Sequence, residues 1–237
     1  MELQPAVIRI EDYKLEEMLR CPEQFASIHE GRKREGDVNW RQMTQFAASH
    51  TVNDFYMLPV EARTPEAVEA LVERRWTNRH YKFLSEEHYV QTKRTVAENL
   101  VLFLLGGACA ETPILTFEQF TPYVEELDME LSQIFHAIAG DGSGDAGGCI
   151  VQKFAVDADR EALTLFFHMT SVVCMSAFER LPSRIEVLSL LEGKRIPFVP
   201  TEASLKQSYD YMYLIKSLLP EADAFKVNPG RDVPFCS

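Results

Sequence analysis

Hydrophobic residues recur every three or four positions in the first half of the chain, which is the spacing of amphipathic α-helices. One helix is predicted around residues 13–25, with a break at Pro22. The next is predicted over residues 40–57, with an apolar stripe made of Met43, Phe46, Ala47, His50, Val52 and Phe55. Thr64-Pro65 and Ser85 mark the starts of two more helices, and the second of these ends at Gly106-Gly107.

The second half of the chain has the pattern of strands around a buried helix. Strands are predicted over residues 114–120, 129–138, 149–156 and 184–191, and the glycine-rich stretch 140–148 predicts a β-hairpin turn. Residues 159–178 read as a helix that is apolar on most faces, and residues 203–219 read as a closing amphipathic helix. We therefore expect one α/β domain over residues 1–237, mainly helical up to residue 110 and built around a sheet thereafter.

Charge and composition narrow the classes of function. The formal net charge of −12 opposes binding to a phosphate backbone unless basic side chains gather on one face. Two clusters could do this, although solvated helix faces are the favoured explanation for them. They are Arg32, Lys33 and Arg34 with Arg41, and Arg74, Arg75 and Arg79 with Lys82. The five scattered cysteines predict no disulfide framework, and no apolar run or leader pattern predicts a membrane span or secretion, so a cytoplasmic protein is expected.

Several motifs, taken in order, resemble the RecB-type branch of the PD-(D/E)XK nuclease superfamily. The stretch 10–25 is similar to the opening helix of that branch, which runs into Cys-Pro-x-x-Phe. His50 stands where the family often has Gly-x-x-His, and residues 73–83 resemble a tryptophan-containing helical insert. The branch includes nuclease domains of helicase–nuclease subunits and CRISPR-adaptation nucleases. The resemblance implies a restriction-endonuclease-like core, in which a mixed central sheet is flanked by helices.

The resemblance also implies that the catalytic site is degenerate. The family places two metal-binding acids on neighbouring strands, the second followed by a lysine. This chain has Phe135 and Val151 at those two positions and keeps the lysine as Lys153. Apolar side chains cannot bind Mg²⁺ or Mn²⁺, so no metal cofactor is expected, and Lys153 is expected to have no acidic partner nearby. The family's glutamine and tyrosine on the following helix correspond to His168 and Val172.

Two cofactor alternatives follow from the same alignment of motifs. A shifted ligand set for Mg²⁺ or Mn²⁺ would use Glu118 and His50 beside Lys153, since Glu118 fits an upstream position that is often acidic in the family. Many relatives also hold an iron–sulfur cluster. Here Cys21 and Cys236 match two of the four cluster cysteines, and two thiolates do not hold a cubane cluster, so none is expected.

The leading hypothesis is a pseudo-nuclease that serves as an interaction or scaffolding subunit in a DNA-processing or defence context, such as DNA repair or recombination. The resemblance implies a protein partner of the helicase–nuclease type. Two alternatives are a metal-dependent DNA nuclease with the shifted ligand set, and a non-catalytic DNA-binding module that uses the arginine clusters. A soluble α/β protein with a coincidental resemblance is the remaining interpretation.

Overall fold

The computed structural model describes residues 8–20, 38–106, 112–142 and 148–219. The helices in these ranges are α1 Asp12–Arg20, α2 Trp40–Met57, α3 Pro65–Arg75, α4 Glu86–Leu104, α5 Arg160–Phe178 and α6 Glu202–Leu218. The strands are β1 Arg9–Glu11, β2 Leu115–Phe120, β3 Tyr123–Val124, β4 Met129–Gly140, β5 Cys149–Ala155, β6 Arg184–Ser189 and β7 Lys194–Phe198.

The helix starts lie where the sequence predicts them. The hydroxyl of Thr64 accepts a hydrogen bond from the N–H of Ala67, and Pro65 is the first residue of α3. The hydroxyl of Ser85 accepts in the same way from the N–H of His88 at the start of α4. Each cap satisfies a backbone donor that the first helical turn leaves without a partner. Both helices are therefore defined locally, before any packing is considered.

The strands form one mixed seven-stranded sheet with β4 at its centre. One edge of β4 pairs antiparallel with β2 and β3, which share a single register. The other edge pairs in parallel with β1 near its start and antiparallel with β5 near its end. The predicted β-hairpin between β4 and β5 is confirmed, although residues 143–147 of its turn lie outside the described ranges. Beyond β5, α5 leads to the parallel strand β6, and β7 closes that side antiparallel.

Helices cover both faces of the sheet. On one face, α5, α6 and α1 enclose a core that includes Leu15, Met169, Val172, Met212 and Ile215. On the other face, α2, α3 and α4 enclose a second core that includes Val52, Phe55, Leu71, Leu100 and Phe103. This arrangement confirms the α/β class, with a mixed sheet flanked by helices. In the described ranges before residue 110, the regular structure consists of four α-helices and two short 3-10 helices, with β1 as the one strand.

Two expectations about apolar helices need correction. The apolar stripe predicted for α2 included Phe46 and His50, but both are exposed, and Phe46 leaves 63 % of its surface accessible. The other four residues of the predicted stripe are buried as expected, and Thr44, Ala48 and Thr51 extend the buried face beside them. In the described residues, α5 is the one helix long and apolar enough to cross a membrane. It packs against the sheet and α6, as the core helix of a globular domain also does.

Candidate functional site

The strands β4 and β5 separate and leave a fork in the sheet. Their pairing stops at Ala137 and Gln152, whereas β1 pairs with β4 only as far as Ser132. On this edge of β4, residues 133–136 therefore have no strand partner among the residues that the structure describes. The backbone of β5 bonds to side chains instead: the N–H of Phe154 donates to Nδ1 of His136 at 3.2 Å.

Gln45 of α2 fills the far side of this fork. Its amide nitrogen donates to the carbonyl of Phe154 at 2.8 Å, and its amide oxygen accepts from the N–H of Val156 at 2.9 Å. One side chain thus takes the place of a strand partner for two backbone groups at the end of β5. Without Gln45 these two groups would be unpaired, although both residues are buried. The fork is consequently a fixed feature of the packing between α2 and the sheet.

Lys153 extends from β5 into the fork and forms an ion pair with Glu16 of α1. Its ammonium also lies 4.9 Å from the ring centroid of Phe166 on α5. Burial alone would lower the pKa of Lys153, but the carboxylates of Glu16 and Asp12 outweigh that effect and hold the pKa above its usual range. The expectation that Lys153 has no acidic partner is therefore wrong, because the helix α1 brings two carboxylates to it from the other end of the chain.

Asp12, the other of these two carboxylates, begins α1. Burial raises its pKa from 3.8 to about 6, although the charge of Lys153 and a hydrogen bond from the N–H of Ile134 act in the opposite direction. The bond to Ile134 satisfies a backbone donor in the unpaired stretch of β4. Asp12 therefore takes the place of a strand partner for one backbone N–H of β4. With a pKa of about 6, its carboxyl changes its protonation state close to neutral pH.

His136, on β4, is close enough to Lys153 to feel its charge, and its imidazole remains neutral. Burial is the main cause that lowers its pKa to about 3, and the positive charge of Lys153 adds to the effect. Since Nδ1 accepts from the N–H of Phe154, the ring carries its proton on Nε2. The ring of Phe117 stacks on it with centroids 5.0 Å apart. A neutral, stacked imidazole with one nitrogen already bonded to backbone supports the sheet and is poorly placed for proton transfer.

A second set of ion pairs closes the mouth of the fork. Arg20, at the end of α1, pairs with Asp159 at 3.0 Å, and Arg41 of α2 pairs with Asp157 at 3.0 Å. Asp12, Glu16 and Arg20 are four residues apart, so they share one face of α1. That face lies along the fork and pairs its charges with β5 and the loop after it. Arg41, predicted as part of a nucleic-acid-binding cluster, is thus engaged within the protein.

Phe135 and Val151, which stand at the acid positions of the resembling family, are buried in the core beneath α5. Phe135 packs against Phe120 with ring centroids 5.3 Å apart, and Val151 is fully enclosed. His168, on α5, shares a hydrogen bond with the hydroxyl of Ser208 at 2.9 Å. Apolar packing fills this part of the sheet and leaves no oxygen ligand at either strand position.

The three residues of the shifted ligand set do not share a site. Glu118 is exposed on β2, which lies on the opposite edge of β4 from β5 and its Lys153. His50 belongs to α2, on the other face of the sheet from the helix α5 that contacts Lys153. Over the ranges that the structure describes, no three His, Cys, Asp or Glu side chains are grouped as metal ligands.

The second arginine cluster is only partly free. Arg74 and Arg75 both pair with Asp54 of α2, and Arg75 does so through Nε at 2.7 Å and Nη2 at 2.9 Å. This pairing, with Arg75 the largest cause, holds the pKa of Asp54 below its usual range. Arg79 has no acidic partner among the described residues. Arg32, Lys33, Arg34, Cys21 and Cys236 lie outside the described ranges.

A shallow, open cavity of about 350 Å³ lies between α2 and the segment that follows α3. His50 lines this cavity together with Arg75 and Arg79. On the sequence alone, His50 was assigned to an alternative metal site and the two arginines to a possible nucleic-acid-binding cluster. The rest of its wall is mostly apolar and consists of Val38, Met43, Phe46 and Ala47, with Thr77 beside them. An apolar floor with cations at its rim can hold a small group that is both apolar and anionic.

The acidic residues of the fork were missed at the sequence level. The four-residue spacing of Asp12 and Glu16 does indicate that they share a helix face, but nothing local indicates that Lys153 lies opposite. The pairing depends on β1 and α1 being placed beside β4 and β5. Comparison with known proteins adds no assignment: the chain matches no protein-family model, and no curated protein is significantly similar to it.

Proposed function

We propose that this chain is a catalytically inactive nuclease-fold protein of the RecB-type branch of the PD-(D/E)XK superfamily. In this proposal the sheet is a restriction-endonuclease-like core. Supporting features are the helical first half, the β4–β5 hairpin with a fork at its open end, and the α5 crossover to the parallel strand β6. In this proposal the fork corresponds to the place where an enzyme of this superfamily would bring its catalytic strands together.

The observation that carries the proposal is the ion pair between Lys153 and Glu16. In an active nuclease, the lysine beside the acids would steady the attacking water or the developing charge. Here its ammonium is neutralised within the protein, and its side chain is only 14 % exposed. The neighbouring strand positions hold Phe135 and Val151, so the polar groups left in the fork stabilise the junction of α1 with the sheet.

Without catalysis, the fold serves as an interaction or scaffolding subunit. We infer a protein partner, of the kind found in helicase–nuclease complexes, and a role in DNA repair, recombination or defence. The resemblance supplies this context. The net charge of −12 supports a protein partner over nucleic acid as the main binding partner, because it repels a phosphate backbone at long range.

The carboxylates of the fork must still be tested as metal ligands, because two acids and a lysine could in principle serve a metal-dependent nuclease. As they stand they do not fit a divalent cation. Glu16 is paired with Lys153, and Asp12 accepts from the N–H of Ile134. A hard cation needs several oxygen ligands, and no third carboxylate or histidine joins these two within the described ranges.

The test is a calorimetric titration with Mn²⁺ combined with cleavage assays on labelled single-stranded and duplex DNA. The wild-type protein is compared with the variants Glu118→Ala and Glu16→Gln. We expect no saturable heat and no cleavage from any of the three. Micromolar Mn²⁺ binding that Glu118→Ala abolishes would establish the alternative, a shifted ligand set that includes Glu118. Binding that only Glu16→Gln abolishes would establish a metal site in the fork, and either result would overturn the proposal.

A further inference from the structure

The cavity between α2 and the segment after α3 has the features of a recognition site. Its floor is apolar and its rim is cationic. Its volume of about 350 Å³ lies at the lower end of the range for ligand pockets, which suits one or two side chains better than a large cofactor. None of the fork residues described above lines it, so its occupant is a separate question.

Phe46 is the first indication of an occupant. It leaves 63 % of its surface accessible, although it lies on a helix whose neighbouring residues Met43 and Ala47 are buried. A large aromatic ring beside an open apolar depression loses hydrophobic stabilisation for as long as it faces water. Covering the ring and the floor together would recover that contribution, and aromatic rings are frequent anchors at protein interfaces.

The arginines provide the second indication. Asp54 holds Arg75 through two of its nitrogens, so that guanidinium is fixed in orientation at the rim of the cavity. Arg79 stands beside it without an acidic partner in the described part of the chain. The rim therefore carries more positive than negative charge, in a chain whose net charge is −12. A local reversal of sign of this kind selects a partner group that is negatively charged.

We propose that this cavity is the docking site for a short acidic segment of the partner protein. An apolar side chain of that segment packs on Phe46 and Met43, and a neighbouring Asp or Glu pairs with Arg79. The inference rests on the interaction role proposed above and names where the partner binds. A peptide is favoured over nucleic acid because the site offers only a few cations around an apolar floor, while the rest of the acidic surface repels a polyanion.

The probe is a displayed library of randomised short peptides, selected on the wild-type protein and counter-selected on a Phe46→Ala/Arg79→Gln double variant. We expect the enriched peptides to combine an aromatic or aliphatic residue with an Asp or Glu a few positions away. Fluorescence anisotropy then measures the affinity of one enriched peptide. Each single variant should weaken it by about tenfold or more, as truncation of an anchor residue does.

Two control variants match the test positions. Tyr213→Ala removes an aromatic ring that is 64 % exposed on α6, and Arg94→Gln removes one positive charge from α4. Neither residue lines the cavity, and both variants should bind the peptide as the wild type does. Peptides that lack acidic residues, or that bind the double variant equally well, would overturn the proposal.

A single-stranded oligothymidylate serves as a second probe. Binding of the oligonucleotide that Phe46→Ala and Arg79→Gln both weaken would make the cavity a nucleic-acid site and would also overturn the proposal. The Mn²⁺ titration and the cleavage assays test the proposed loss of catalysis in the fork, and they give no information about the cavity. A protein that is silent in those assays but selects no acidic peptide would therefore keep the proposed inactive nuclease fold and lose this docking site.

Discussion

Lys153 and Glu16, which lie 137 residues apart in the sequence, form an ion pair inside the fork between β4 and β5. The pair joins the first helix of the described chain to a central strand of the sheet. Asp12 and Arg20 continue the same contact on either side, through Ile134 and Asp159 respectively. The residue that the family resemblance identifies as a remnant of catalysis is therefore a main attachment point of α1.

Replacing Glu16 by Gln should destabilise the protein. The substitution keeps the size of the side chain but leaves the largely buried ammonium of Lys153 with Asp12 as its nearest counter-charge. We expect a loss of about 1–3 kcal/mol in the free energy of unfolding, the usual cost of a buried polar group without its partner. Urea denaturation at neutral pH measures it. The matched control is Glu98→Gln, which removes an exposed partner of Arg94 and should have little effect. Equal effects of the two variants would contradict a special role for Glu16.

The carboxyl of Asp12 should make the protein less stable as the pH rises through about 6. Its pKa is about 6 in the folded protein and 3.8 without burial, so the folded state binds the extra proton between these values. The associated stability is fully present below pH 3.8 and is lost through pH 6. Asp12→Asn, which still accepts from Ile134, should gain stability relative to the wild type across this window. Urea denaturation of both proteins from pH 4 to 7 measures the difference. A constant difference would contradict the raised pKa.

His136 should make the protein less stable as the pH falls, which is the opposite pH dependence to that of Asp12. Its pKa falls from 6.5 to about 3 because burial disfavours the charged ring, so the unfolded state binds more protons between these values. The wild type should therefore lose stability as the pH falls below 6.5, relative to His136→Gln, which does not titrate. Nitrogen NMR shifts provide an independent measurement: at pH 5 the ring should still carry its proton on Nε2 alone. A doubly protonated ring at that pH would contradict the buried, neutral state.

Local signals in the sequence were sufficient to predict most helices and the hairpin. Thr64 and Ser85 start their helices as expected, because a cap depends only on residues three or four positions away. The β4–β5 hairpin was predicted for the same reason, from glycines between two apolar runs. These elements are defined by neighbours along the chain, which a single sequence displays directly.

The missed elements depend on distant partners. The strands β1 and β3 have three and two residues, too few to show an alternation of apolar and polar residues. They are strands because each pairs with an edge of β4. The strand β7 contains Pro197, which argues against a central strand. It is tolerated because, within the described ranges, β7 pairs with β6 alone and is an edge strand. The pair of Lys153 with Glu16 was missed for the same reason, since only the placement of β1 brings α1 to the fork. The resemblance identified Lys153, but it led to the wrong expectation that no acidic partner lies nearby.

Asp54→Asn should test whether the arginines of α3 form a hidden DNA-binding surface. In the wild type, Asp54 engages both Arg74 and Arg75, which leaves few unpaired charges for phosphate contacts. The variant releases both guanidiniums, so its affinity for a labelled duplex should rise, and the gain should shrink steeply with added salt. Anisotropy titrations at low and moderate salt measure both effects.

Glu69→Gln is the control, because it removes one negative charge from α3 without releasing an arginine. Equal gains in the two variants would attribute the effect to net charge. A wild-type protein that already binds duplex DNA strongly at moderate salt would favour the DNA-binding alternative over a protein partner, since the Asp54 pairing would then not limit phosphate contact.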